Sequence, residues 1–495
     1  MTETTPTGGK PKNRAWVYVV VAVVAAAVTF GVTALLTNMF EKKTEASNGT
    51  PPVVTLTSTT YDAATWGQNY PLEYAGFKAT ADFTPSNHNT ALVPVAGPRA
   101  AVVEKLGSDP ETRTETTASK IEQDPRLVTL WKGYAFALDY RHLRGHEWML
   151  TDQRLTLRVL LKDQPGACLN CHASTVPVME ELGDGDAMAG FAAMNKLAYA
   201  DATAMAANPI QCIDCHDPET MNLRITRPAL INGLKALKAS EGIADYDVNT
   251  DATVEEMRTY VCAQCHVEYY FAGDDKTLTF PWQYGTDIND VWQYYQEIGF
   301  TDFENAISGA KVVKAQHPEF ETWSAGIHAA NGVSCADCHM AYVREGAQKV
   351  TNHDITDPLE NIATTCGVCH TDSEEAIRAE VWTIQNRFVD SRDRALDATV
   401  ALINDIAAAK EAGVAEDRIA LAQEYQNMAS FYVDYSYSEN SFGFHASDYM
   451  QRILSQSLDA ARKGQLALLG QTKAQLEPSE VAQANATAAA DMGII

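Results

Sequence analysis

The stretch Val261-Cys262-Ala263-Gln264-Cys265-His266-Val267-Glu268-Tyr269-Tyr270-Phe271 decides how this chain is read. Cys262, Cys265 and His266 form a CxxCH motif. At that spacing two thiols can add to the vinyl groups of one haem while the following histidine binds its iron. Glu268, Tyr269 and Tyr270 follow within a few residues, an acid and two phenols that a pure electron carrier would not need.

The motif recurs. The chain has 495 residues and ten cysteines. All ten fall into five motifs: Cys168-Cys171-His172, Cys212-Cys215-His216, Cys262-Cys265-His266, Cys335-Cys338-His339 and Cys366-Cys369-His370. No cysteine is left over for a disulfide. Paired CxxC also builds structural zinc sites, but zinc does not require a histidine directly after the second cysteine, and here it follows every time. Five c-type haems are the expectation.

The formal charge of −26 argues against a nucleic-acid binder. A solvated acidic surface is the plain reading. An anionic substrate would need its own local positive charge.

Residues 1–14 are polar, with Lys10, Lys12 and Arg14 preceding the uncharged run Trp16 to Phe40. That run has the length of a spanning helix, and the flanking basic residues favour the N-terminus inside. Asn38-Met39-Phe40 does not look like a signal-peptide cleavage site. The expectation is a cytoplasmic tail over 1–14, an uncleaved anchor (or signal) over 15–40, and an exported remainder, as covalent haem attachment also requires. Residues 41–60 read as a linker, 61–120 mostly as loop, and the five-haem region as 61–370 with short helices and long connections. Leu130, Trp131, Tyr134, Ala137, Leu138 and Arg141 recur at helical spacing, and His142 and His146 stand four apart, as on one helix face.

Beyond His370 the pattern changes. Thr371 to Glu374 has the form of a capping box. Ile377, Val381, Ile384 and Phe388 begin an apolar stripe reaching Ile406, and Gly413 ends it. Further helices are predicted over about 416–435 and 446–469. Such stripes pack within the chain or between two copies. Residues 371–475 form this long-helix region, a candidate dimer interface, and 476–495 a loose tail. The fold class is therefore mainly α: a multihaem cytochrome c fold with a compact five-haem core and long C-terminal helices.

Seven histidines stand outside the motifs: His88, His142, His146, His317, His328, His353 and His445. Iron that only carries electrons is closed by a second ligand, while iron that does chemistry keeps a position open. Seven spare histidines could close all five, so counting does not separate a carrier from an enzyme.

The neighbouring residues do carry a resemblance. Cys262 to Phe271, with Phe280-Pro281-Trp282 after it, resembles the pentahaem cytochrome c nitrite reductases that form ammonia. So do Lys314-Ala315-Gln316-His317-Pro318-Glu319-Phe320-Glu321-Thr322-Trp323, Ala325-Gly326-Ile327-His328, Leu130-Trp131-x-Gly133-Tyr134 and Arg144-Gly145-His146. The motifs lie in family order over roughly residues 125–470.

The resemblance implies that the first haem, at Cys168 and Cys171, is the catalytic one. Its pocket would hold Tyr269, His317 and Arg158, with Arg154 the rival arginine. Distal ligands would be His353 on the second haem, His146 on the third, His445 on the fourth and His328 on the fifth; His88 and His142 match nothing. It also implies Ca²⁺ held by Glu268 and Gln316 side chains and the carbonyls of Tyr269 and Lys314, an oxygen set suited to that ion. In many members the first motif ends in lysine; here it ends in His172, which removes the need for a dedicated lysine-motif attachment enzyme. The implied activity is six-electron reduction of nitrite to ammonium, with hydroxylamine, nitric oxide and sulfite as further substrates. His317 would donate protons near neutral pH. Implied partners are a second copy of the chain and a membrane tetrahaem quinol dehydrogenase. The alternative is a multihaem electron-transfer protein without a substrate.

Overall fold

The computed structural model describes residues 15–47, 52–84, 88, 92–100, 115–346 and 348–478. The expected tail over 1–14, the end of the linker's first half and most of 476–495 lie outside the described residues. The chain divides into two units, one of residues 1–55 and 344–348, the other of 56–343 and 349–495. The first contains the helix Ala15–Ser47, which includes the uncharged run. Among the described residues no helix is long and apolar enough to cross a membrane. The second unit carries all five motifs and is described below.

It is mainly helical, and its described strands make only short two-stranded antiparallel ladders, such as Tyr270–Ala272 against Thr277–Thr279. That ladder holds the backbone directly after Tyr269 and pairs Tyr270 with Thr279. The expected loop over 61–120 contains a nine-residue helix, Pro71–Ala79, with proline at its first position, where the missing N–H costs nothing.

The periodicity from Leu130 to Arg141 does not make one helix. The helix Arg126–Leu130 stops, and a short 3₁₀ turn follows at Ala135–Ala137. Gly133 lies between them at φ +104°, and a Cβ there would meet the carbonyl of Glu304 at 2.6 Å. The apolar spacing reflects side chains gathered from an irregular backbone, with Leu127, Leu130 and Trp131 all buried. His142 and His146 accordingly share no helix face: His142 meets Gln123 at 2.6 Å, while His146 opens a separate 3₁₀ turn.

The long helices run Glu374–Glu411, Glu416–Ser438 and Ser447–Leu468. The first is capped by Ser373, whose hydroxyl accepts from the Ala376 N–H at 3.2 Å, in place of the expected box from Thr371. Gly413, at φ +71°, follows its end. The stripe on this helix is consumed within the chain: Val381, Phe388, Ile403 and Ile406 are buried. Leu402, Ile406, Ile419, Tyr425, Ala429 and Ala460 form one of its apolar clusters.

Each motif sits in or beside a short helix, which brings cysteines three apart onto one face. The residues between the cysteines tie the motifs together. Asp214 accepts from the N–H of Gln211 at 2.8 Å and pairs with Arg227 at 2.7 Å, both partners buried. Arg227 also donates to the carbonyls of Asn170 and Ala173, joining the first motif to the second. Gln264 accepts from the N–H groups of Thr226 and Arg227, joining the third motif to the second. Asp337 caps Ser334 and pairs with Arg258, joining the fourth to the third. The fifth motif has Gly367 and Val368 at these positions, and Val368 is 74% exposed.

Candidate functional site

Four motif histidines face a second imidazole. Ring centres lie 6.2 Å apart for His146 and His266, 6.0 Å for His216 and His353, 6.4 Å for His328 and His370, and 6.4 Å for His339 and His445. A metal held between two imidazole nitrogens at about 2.0–2.1 Å each, with about 1.1 Å from nitrogen to ring centre, would set the rings about 6.2 Å apart. The spacing fits an iron between each pair, and the cysteine pairs fit haem attachment.

Burial strengthens that fit. It pushes His146 and His172 down to about 4 and His266 to about 3, so each imidazole is neutral and its lone pair is available to a metal. His445 goes the other way: burial lowers it, but the Glu439 carboxylate at 2.7 Å more than offsets this and raises it.

Among the described residues, no imidazole ring is paired with His172. What surrounds the first motif is a different set of groups. Arg158, at the start of the helix Leu157–Leu161, stacks over the Phe136 ring at 4.0 Å, and its buried Nη1 has no hydrogen-bond partner. Its charge is felt at His172, Cys168 and Tyr269. Arg154, the rival, is committed elsewhere, donating to Thr203 Oγ1 at 3.0 Å and to the carbonyls of Thr203 and Ala206 at 2.7 and 2.8 Å. Arg158 is thus the arginine with capacity to spare.

Tyr269 is pushed well above the usual phenol value by burial and by the thiols of Cys171 and Cys168. It is therefore a protonated donor. His317 is driven well below 6.5 by burial, then by His172, His266, Lys314 and Lys120. The expected donation near neutral pH needs amending: His317 rests as a neutral imidazole, and an anion beside it would restore its affinity for a proton.

Glu268, Lys314 and Gln316 are brought together. The fully buried Glu268 carboxylate accepts from the Gln316 N–H at 2.6 Å and from the Tyr295 hydroxyl at 2.9 Å. Gln316 Nε2 donates to the Lys314 carbonyl at 3.1 Å. The Lys314 ammonium turns away to Asp434, at 3.0 Å, so its carbonyl and not its side chain faces this cluster. Burial holds Glu268 well above the usual carboxylate range, outweighing the Gln316 N–H, the Tyr295 hydroxyl and the charge of Lys314. A hard cation with oxygen ligands fits that deficit. Among the described residues no group of three or more His, Cys, Asp or Glu forms a metal site; this cluster has one carboxylate among amide and carbonyl oxygens.

The family model for cytochrome c552 matches residues 62–493. This chain belongs to the cytochrome c552 family. A cytochrome c-552 of Parabacteroides distasonis is 39% identical over 408 residues, 81% of this chain and 74% of that one. A cytochrome c-552 of Bacteroides fragilis is 36% identical over 454 residues, 90% and 84% of the two chains. Among solved structures, the cytochrome c nitrite reductase catalytic subunit of Desulfovibrio desulfuricans, described with two calcium sites, superposes with a TM-score of 0.70. It is 27% identical, with 86% of this chain and 89% of that one covered.

Lys120 had no signal in the sequence, and Glu321 lay in a resembling motif without an assigned role. Lys120 is buried, with its ammonium 4.7 Å from the Tyr140 ring centre and held down to about 8 by burial. Its charge reaches His317. Glu321 takes the Glu268 N–H at 3.0 Å and the Trp282 indole N–H at 2.7 Å. These are long-range contacts, and nothing local in the sequence shows which residues meet.

Proposed function

We propose that this chain is an ammonia-forming nitrite reductase, with its reaction site at the first motif. The carrying observation is the contrast between four motif histidines that face a second imidazole and His172, which faces none and instead lies within reach of Arg158's charge. The likeness to the Desulfovibrio nitrite reductase supports the same reading.

The haems, when attached, would supply electrons singly and the iron at which nitrite is reduced. The balance is one nitrite, six electrons and eight protons in, one ammonium and two waters out. The chain's own residues handle the charge and the protons. Arg158, always protonated, holds the anion through its unpartnered Nη1 against the molecule's negative field and stabilises charge developing on oxygen. His317 and Tyr269 deliver protons as each N–O bond breaks. His353, His146, His445 and His328 would serve as second ligands for the second to fifth haems in turn. Ca²⁺ on Glu268, Gln316 and the carbonyls of Tyr269 and Lys314 would fix the two loops that carry Tyr269 and His317. Hydroxylamine, nitric oxide and sulfite present related N–O or S–O bonds to the same pocket.

The same proposal places the catalytic unit outside the cytoplasmic membrane, anchored through the uncharged run Trp16 to Phe40. It includes a homodimer, for which Trp382, 38% exposed on the first long helix, and exposed Val368 and Ile327 supply apolar surface. A membrane tetrahaem quinol dehydrogenase would be the donor.

The test is to add nitrite to the reduced protein and follow haem reoxidation and ammonium. His317→Ala and Tyr269→Phe should each slow turnover on the order of a hundredfold or more with all five haems retained. Equally fast reoxidation in parent and His317→Ala, or none in the parent, ends the assignment.

A further inference from the structure

The four imidazole pairs differ in what stands behind them. The Nδ1 atoms of His216, His353 and His339 meet neutral backbone carbonyls: Met221 at 2.9 Å, Thr351 at 2.9 Å and Thr356 at 3.0 Å. His445 Nδ1 instead meets a carboxylate oxygen, Glu439 Oε1, at 2.7 Å. Glu439 is 2% exposed. The nearest comparable contact is Glu319 Oε2 with His266 Nδ1, at 3.9 Å and so beyond hydrogen-bond reach.

The carboxylate is built in. It sits at the end of the helix Glu416–Ser438, in the turn that leads to His445. Ser441 donates to it twice, from its N–H at 3.2 Å and its hydroxyl at 2.8 Å. The same hydroxyl accepts from the His445 backbone N–H at 3.0 Å, so one serine ties the acid to the backbone that carries the imidazole. The turn requires positive φ at Phe442 (54°) and Gly443 (82°), and a Cβ on Gly443 would meet the Phe388 side chain at 2.8 Å. A side chain that is fully desolvated and held from both sides is placed for a purpose that packing alone does not explain, because a buried charge is costly.

We propose that Glu439 is a positioning residue that lowers the reduction potential of the fourth haem relative to the carbonyl-backed second. This rests on the ligation of that haem by His339 and His445 given above. A carboxylate at ion-pair distance from Nδ1 makes the ring a stronger electron donor. Its negative charge also favours the more positive oxidation state of the iron, most strongly in a low-dielectric interior. The fourth haem thereby passes electrons on more readily than it keeps them. The device sits in a turn between two long helices, remote in sequence from Tyr269 and His317.

The test is a spectropotentiometric titration of all five haems, with EPR at each potential, in the parent, Glu439→Gln, Glu439→Asp and Ser441→Ala. In Glu439→Gln one low-spin haem should shift to higher potential while the other four hold. Glu439→Asp should recover part of that shift. Ser441→Ala, which keeps the carboxylate but frees it, should move the same haem upward by less, and it serves as the test if Glu439→Gln does not accumulate. Unchanged midpoints, a downward shift, or a common shift of all five overturns the proposal. Five haems with four bis-histidine signals in the parent would uphold the ligation whatever the variants do, so the two readings fail separately.

Discussion

The first and fifth motifs use the same five-residue pattern in opposite surroundings. Around Cys168 to His172, Leu169 and Asn170 are fully buried, and Arg227 clamps the Asn170 carbonyl. Around Cys366 to His370, Val368 is 74% exposed, and no side chain between the cysteines ties the motif to another. Yet the fifth has a facing imidazole, His328, and among the described residues the first has none. A site that only relays electrons needs a closed pair of ligands and a neighbour within reach. A site that does chemistry needs fixed walls, because binding and proton delivery tolerate little displacement. Under the proposed assignment, the clamping of the first motif suits the demand for rigidity at a reaction site, and the second motif shares the clamp through Asp214.

The largest effect that would sharpen this contrast is loss of the clamp. Arg227→Met leaves Asp214 buried without its partner, and breaking such a pair costs about 3–5 kcal/mol. The expected result is poor accumulation and a much lower unfolding midpoint, read by haem content and calorimetry. A near-parental midpoint would show that the motifs are not held by this pair.

Next comes the arginine choice. Arg158→Gln should lower kcat/KM for nitrite by about 10²–10³, with little change in unfolding, because it removes a donor that has no partner at rest. Arg154→Gln should do the reverse, costing stability through its contacts with Thr203 and Ala206. Steady-state kinetics and thermal melts on both variants separate the roles, and exchanged outcomes would move the anion site.

A third test concerns charge in the first motif's surroundings. Burial raises Glu321 from 4.5 to about 8, so the folded protein binds a proton there that the unfolded chain releases. Stability is then greatest below the unfolded value and falls as pH rises toward the folded one, with a slope of about 1.4 kcal/mol per pH unit from this group. Glu321→Gln should flatten that slope when unfolding is compared in mildly acidic and mildly alkaline buffer. A parallel slope in the variant would mean that calcium or haem already neutralises the acid.

The smallest effect belongs to the fifth motif. Val368→Ser should change stability by less than about 0.5 kcal/mol, because the side chain is exposed. The equivalent change at buried Leu169 should be felt severely, and equal effects at the two sites would erase the contrast.

Much of this was legible in the sequence, for physical reasons that differ by element. Haem attachment is local in sequence, so Cys262, Cys265 and His266 announce it. The long helices are also local, with an apolar period and a glycine stop at Gly413; their observed limits differ from expectation by a few residues. The ring pairs were reachable only through resemblance, because His445 and His339 are distant along the chain and nothing in their spacing joins them. The Leu130 to Arg141 period misled because Gly133 breaks the backbone while its neighbours still converge on one core. Arg227, Lys120 and Glu439 carried no signal at all. Their roles exist only after burial brings a charge beside a distant partner.

The central claim is that four haems are closed and one, at the first motif, is open. The most direct measurement is titration of the oxidised five-haem protein with cyanide or nitrite, following the EPR and Soret signals of each haem. The account predicts that one haem in five changes, and that Arg158→Gln weakens binding at that haem alone. Binding at none, or at two or more, would contradict it.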